Sequence, residues 1–165
     1  MRRTGFLIGA VLTALLMVSG VALAKEILGT PKNDRITGTE QGDVVSARGG
    51  DDTVVGRGGN DELYGQPNGD SLSGSEGDDD LYGGSGNDDL RGGDGQDDVF
   101  GGDGADNLTG GAGTNELSGG NNSDTINALG SGRDTINCGL GDNDEVIADT
   151  TDGVDRTTCE KVTQK

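Results

Sequence analysis

The sequence predicts an all-β fold in which short strands stack into a solenoid, and three observations predict it. Acidic residues recur at a nine-residue spacing, an aliphatic residue stands two places after each, and glycines crowd the positions before each acid. One aliphatic in nine residues cannot shield itself from water, so each row has to stack on its neighbours and share a core with them.

Taken in order, the chain begins with an address. Arg2 and Arg3 precede an apolar run from Phe6 to Val18, followed by Ser19-Gly20-Val21-Ala22-Leu23-Ala24. This is the charged, apolar and small-residue succession of a secretory signal peptide, with cleavage expected after Ala24. The stretch is about long enough to span a bilayer. The small residues at 22 and 24 favour cleavage over an uncleaved anchor, so no stable membrane insertion is expected afterwards. The Arg pair fits a twin-arginine signal only loosely, and no Cys near the cut suggests a lipid anchor. The expected organisation is therefore 1–24 signal peptide, 25–137 repeats and 138–165 a C-terminal cap.

Residues 25–165 carry all thirty acids and ten of the twelve bases, a net charge of −20. Leu, Ile, Val and Phe make up 23 of these 141 residues, a share at which a highly charged chain normally stays disordered. Something besides hydrophobic burial must hold it. With no His anywhere, a His-based acid/base pair, a His zinc site and a serine–histidine triad are excluded. The acidic balance also disfavours nucleic acid, whose binding requires basic residues to displace counterions.

The ruler runs through Asp34, Asp43, Asp52, Asp61, Asp70, Asp79, Asp88, Asp97 and Asp106, then Asn115 and Asp124. Its aliphatic companions are Ile36, Val45, Val54, Leu63, Leu72, Leu81, Leu90, Val99, Leu108, Leu117 and Ile126. The spacing then stretches to ten, giving Asp134 with Ile136 and Asp144 with Val146. Each row is expected to be a glycine-rich turn of about six residues and a strand of about three, with the aliphatic facing inward and its neighbours outward. A Gly/Asp-rich linker would have no reason to keep an aliphatic in register.

Rows such as Gly83-Gly84-Ser85-Gly86-Asn87-Asp88-Asp89-Leu90-Arg91 and Gly92-Gly93-Asp94-Gly95-Gln96-Asp97-Asp98-Val99-Phe100 resemble the G-G-x-G-x-D-x-U-x nonapeptide of the RTX, or haemolysin-type, calcium-binding repeat family. The resemblance covers about 29–147. It implies a parallel β-roll, a right-handed β-solenoid with two repeats per coil, in which same-side neighbours lie 18 residues apart. Two acid columns follow: Asp34, Asp52, Asp70, Asp88, Asp106 and Asp124, and opposite them Asp43, Asp61, Asp79, Asp97 and Asn115.

Two carboxylates about 5 Å apart repel by about 0.8 kcal/mol in water and about 3 kcal/mol at an effective dielectric near 20. A column of them requires cations. Carboxylates and turn carbonyls suit Ca2+, whose oxygen cage is adaptable; Mg2+ demands stricter octahedral geometry, and zinc would want His or Cys, which the rows lack. No EF-hand loop is present: Asp78-Asp79-Asp80-Leu81-Tyr82-Gly83 fails at its fifth position. The resemblance places several calcium ions between turns 18 residues apart, with Asp52, Asp61, Asp70, Asp79, Asp88, Asp97, Asp106 and Asp124 as metal ligands. The best pairs are Asp70 with Asp88, Asp79 with Asp97, and Asp88 with Asp106. Asn115 is a neutral substitute, Gln41 and Asn68 replace glycines, and Lys32 puts a cation into the turn of Asp34, where weaker binding is expected. Asp51, Asp78, Asp94 and Asp103 read as solvated turn charges.

Beyond Cys138 the pattern loosens. A solenoid end needs a cap over its last apolar coil, and an exported chain meets an oxidising compartment, so Cys138 and Cys159 are expected to form a disulfide. Closing that loop contributes about 3 kcal/mol in the chain-entropy account. On one outer face Tyr64, Tyr82 and Phe100 fall 18 apart, beside Glu62, Asp80, Asp98 and Glu116. These rings are expected to stack on one another and shield the strands; the competing reading is a docking face for a carbohydrate or cell-surface partner. The other face carries Thr37, Ser73, Thr109 and Asn127, but Val55 and Arg91 interrupt it, which argues against a regular hydroxyl array.

The sequence thus reads as a secreted, non-enzymatic protein that folds on binding extracellular calcium. The alternative is a calcium-scaffolded adhesive protein using the Tyr64/Tyr82/Phe100 face. An enzyme is disfavoured, because neither H-E-x-x-H nor a G-x-S-x-G elbow with a His partner occurs.

Overall fold

The computed structural model describes residues 25–141 and 143–165; the expected export signal over 1–24 lies outside them. The described residues form strands β1 (Glu26–Leu28), β2 (Arg35–Thr37), β3 (Val44–Ser46), β4 (Thr53–Gly58), β5 (Glu62–Pro67), β6 (Ser71–Glu76), β7 (Asp80–Ser85) and β8 (Asp89–Asp94). They continue with β9 (Asp98–Asp103), β10 (Asn107–Ala112), β11 (Glu116–Asn121), β12 (Thr125–Ala128), β13 (Thr135–Leu140), β14 (Glu145–Ala148), β15 (Gly153–Val154) and β16 (Lys161–Gln164). Odd-numbered strands make one sheet and even-numbered strands the other, each in chain order. Every pairing is parallel, as a chain winding in one sense requires. This is the expected β-solenoid, and none of the described residues is helical. In particular, no helix there is long and apolar enough to cross a membrane.

Register follows the predicted 18-residue step. Leu63 pairs with Leu81 and Leu81 with Val99, while across the roll Leu72 pairs with Leu90 and Leu90 with Leu108. Where the ruler stretches, the ladder survives: Leu117 pairs with Ile136 and Ile126 with Val146, because the turns absorb the extra residues. The inward aliphatics of both sheets meet in a core one side chain wide per strand from β2 to β11, and Ala128, Cys138 and Ala148 add a second buried side chain to β12, β13 and β14.

Strand length differs from expectation. β4 to β11 and β13 are six residues long, leaving turns such as 86–88 only three residues. The reason lies in the stacked backbones: Gly84 pairs with Gly102, and Gly93 with Gly111. With no side chain between them, the ladder runs on through the glycines.

That continuity requires a left-handed residue four places before each acid from Asp52 to Asp124. Gly84, Gly93, Gly102, Gly111 and Gly120 supply it at φ 108° to 133°, but Arg48, Arg57, Gln66 and Ser75 adopt it at 81°, 93°, 77° and 95°. A residue with a Cβ is strained there by about 1–2 kcal/mol, partly offset because glycine has more unfolded freedom to lose. Ser75→Gly is therefore expected to raise stability by about 0.5–1 kcal/mol, read from denaturant unfolding in calcium; a loss of stability would contradict this account.

Near the C-terminus Cys138, buried within β13, is bonded to Cys159. The two sheets run on past it, with β14 pairing β12 and β16, and β15 pairing β13.

Candidate metal centre

The turns bring the ruler acids inward rather than out to solvent. Asp43, Asp52, Asp61, Asp70, Asp79, Asp88, Asp97, Asp106 and Asp124 are all buried, sitting just before the first residue of a strand where the chain turns back over the core. Each is held by the coil before it. The backbone N–H of Asp52 donates to Asp70 Oδ1 (2.8 Å), that of Asp70 to Asp88 Oδ1 (2.7 Å), and that of Asp88 to Asp106 Oδ1 (2.8 Å). In the opposite column Asp61 donates to Asp79 (2.8 Å) and Asp79 to Asp97 (3.0 Å).

One oxygen per carboxylate is therefore used by the scaffold. The other, Oδ2, is buried without a hydrogen-bond partner in Asp52, Asp61, Asp70, Asp79, Asp88, Asp97, Asp106 and Asp124. Leaving buried anionic oxygens unsatisfied is costly. Desolvation pushes the carboxyls of Asp61, Asp70, Asp79, Asp88 and Asp97 up to about 6; the N–H of the preceding acid opposes it, and neighbouring carboxylates reinforce it. Asp124 is pushed to about 7 by the same burial, with Asp106 and Asp144 adding repulsion.

Beside each Oδ2 from Asp61 to Asp124 lies a space that a glycine keeps open. A Cβ on Gly65 would come 2.5 Å from Asp70 Oδ2 and 2.7 Å from the Gly83 carbonyl oxygen of the next coil. On Gly101 it would meet Asp106 Oδ2 at 2.5 Å and the Gly119 carbonyl. Among the described residues no three acidic, sulfur or imidazole side chains converge so that they alone could hold a metal ion. The carboxylates come one per turn, so a cation here would draw its remaining oxygens from the backbone.

Four copies of the RTX calcium-binding nonapeptide repeat match residues 28–63, 64–99, 91–126 and 100–136. The chain belongs to this family. No curated protein matches it.

The residues of this RTX roll fit the ion that the family binds. Buried, unpartnered carboxylate oxygens beside backbone carbonyls form a hard, all-oxygen donor set of the kind calcium takes, with no nitrogen or sulfur ligand. When bound, the cation supplies positive charge that offsets the desolvation and mutual repulsion of the column. Two turns depart from the pattern. Ala47 occupies, in register with Gly65, the position that glycine holds in the other turns from Asp34 to Asp124, so a buried methyl stands in the turn of Asp52. Asn115 spends its oxygen on the Asp97 N–H (3.0 Å) and aims Nδ2 towards Gly110, presenting a donor instead of a ligand.

The ladder goes further than Asp124, the last ligand expected from the repeat. Asp134 and Asp144 accept from the N–H groups of Asn115 and Asp124 (2.8 Å each). Asp152 then accepts from Asp134 (3.0 Å), and Glu160 Oε2 from Asp144 (2.9 Å). Asp152 lies 18 residues after Asp134 and two before the core-packed Val154, which is the ruler's own signal, whereas Glu160 stands two before Val162 but only sixteen residues after Asp144. Asp78, read as a solvated charge, is exposed and also accepts the Gln96 N–H (2.9 Å), in an outer ladder that Asn33, Asn60 and Asn87 share.

Tyr64, Tyr82 and Phe100 stack nearly parallel on the outer face, with centroids 4.9 and 5.2 Å apart. Tyr64 also donates its hydroxyl to Glu62 (3.1 Å). Their faces are thus turned to one another.

The raised carboxyls set a pH dependence. In the folded metal-free protein these groups bind protons up to about pH 6 to 7, whereas their ordinary value is 3.8. The folded state thus holds more protons across that window, and stability rises as pH falls. The penalty is complete above about 7 and gone below 3.8. Chelated protein is expected to show more strand circular dichroism at pH 4.5 than at pH 7.5, and calcium affinity to fall through pH 6. A metal-free strand signal that weakens on acidification would reverse the sign and reject the argument.

Proposed function

We propose that this RTX protein is a secreted, non-enzymatic calcium module that folds when it meets extracellular calcium. Several ions are held between successive turns by Asp52, Asp61, Asp70, Asp79, Asp88, Asp97, Asp106 and Asp124 together with turn carbonyls. The observation that carries this reading is the file of Oδ2 atoms, buried and unpartnered in each of these residues. Export is supported by the leader-like sequence before Lys25 and by the disulfide, a bond that persists in oxidising compartments. Residues 25–137 constitute the ion-binding roll. Residues 138–165 close it, with Cys159, Asp152 and Glu160 finishing the core and the ladder.

Equilibrium dialysis of the purified protein against CaCl2 or MgCl2 tests this. Several calcium ions are expected to bind with dissociation constants of about 10⁻⁴–10⁻³ M, the range of extracellular modules, and magnesium more weakly. Failure to take up calcium at these concentrations, or equal preference for magnesium, would reject the proposal.

A further inference from the structure

The turns differ at one peptide. Asp34 Oδ2 accepts the backbone N–H of Thr30 (2.6 Å) and its hydroxyl (2.9 Å), and Asp43 Oδ2 accepts the N–H of Thr39 (2.6 Å). These threonines occupy the place, four residues before the acid, that is left-handed from Arg48 to Gly120; Thr30 and Thr39 themselves stay outside that region. In the turns of Asp52 to Asp124 the carboxylate Oδ2 remains unpartnered. The side chains explain the difference. A β-branched residue at positive φ is a severe outlier, whereas Gly, Ser, Gln and Arg reach it at no or moderate cost. Threonine therefore keeps its peptide turned so that the N–H meets the carboxylate, and the turn closes on itself.

We infer that Thr30 and Thr39 replace the cation in the first two turns, so that the coil carrying Asp34 and Asp43 is a metal-free N-terminal cap and the ions begin beyond it. This rests on the calcium-binding reading of the later turns. Asp43 already has partners on both oxygens, and Asp34 has two on Oδ2. Asp43 Oδ1 takes the Lys25 N–H (2.9 Å), while Asp34 and Asp43 donate their own N–H groups to Asp52 and Asp61 (2.7 Å each), coupling the cap to the next coil. Among the described residues β2 has a strand partner in β4 alone, and an unpaired solenoid edge needs closing. An ion bound there would have to displace a hydrogen bond already made to the carboxylate.

The test counts bound ions by equilibrium dialysis against CaCl2 on the wild-type protein and on Asp34→Asn, Asp43→Asn and Asp79→Asn. Asp34→Asn and Asp43→Asn are expected to keep the wild-type count, and Asp79→Asn to lose at least one ion. If Asp43→Asn loses as many ions as Asp79→Asn, the cap is overturned while the calcium roll stands. If all three variants keep the full count, the ligand assignment falls and the inference with it; if the wild type binds no calcium, the proposed function falls as well. Amide exchange in the calcium-loaded wild type gives a reading that needs no variant. The Thr30 and Thr39 amides should exchange at least about tenfold more slowly than in an unstructured chain, and free exchange there would overturn the cap.

Discussion

Stripped of calcium at pH 7.5, this protein is expected to lose most of its strand circular dichroism and its resistance to proteases, and to regain both when calcium is restored. Residues 25–165 carry a net charge of −20, and the fold drives carboxylates into two files along the core edges, where those from Asp52 to Asp124 keep one oxygen tied to a backbone N–H and the other without a partner. Repulsion between neighbouring carboxylates amounts to about 3 kcal/mol per pair at an effective dielectric near 20, and it recurs along both files. The core offers one aliphatic per strand in return. Without a cation the balance is expected to fall to the unfolded chain, whose carboxylates are solvated and far apart. Binding to the folded state alone makes stability depend on free calcium. The transition should therefore move with calcium concentration, and sodium at equal ionic strength should not substitute for it. A strand signal indifferent to excess chelator would refute calcium-dependent folding.

Leu81→Ala is expected to destabilise the calcium-loaded protein by about 2–5 kcal/mol, the range for truncating a fully buried leucine. Leu81 lies midway along its sheet, fully buried, paired to Leu63 on one side and Val99 on the other. The core is one residue deep per strand, so no second layer can move in to fill the cavity. Stacked backbones also resist collapse, because their spacing is fixed by the ladder. Denaturant unfolding of wild type and variant in saturating calcium measures the difference. A cost below about 1 kcal/mol would mean that the ladder and the ions, rather than the aliphatic file, hold the coils together.

Much of this could be read from the residues. The period of nine and the inward aliphatic at each row fixed which side chains share a column, and Leu63 over Leu81 over Val99 follows from that alone. The acids of the centre, Asp52 to Asp124, were legible for the same reason. Asp152 could have been read the same way, since it stands 18 residues after Asp134 and two before Val154; Glu160 was hidden, because it falls sixteen residues after Asp144 and is a longer acid than the aspartates of the ruler. Ala47 was likewise silent, since a small residue in place of glycine looks conservative until its methyl is seen inside the roll.

The sequence by itself determined the period, the two acid columns and the need for a counter-charge, because these depend only on which residue types recur and how far apart. Tertiary structure decided how each carboxylate is used: one oxygen on the preceding coil's N–H, the other on threonine in the first two turns and left over in those from Asp52 to Asp124. That choice turns on the rotation of a single peptide per turn, fixed only when coils 18 residues apart press their backbones together.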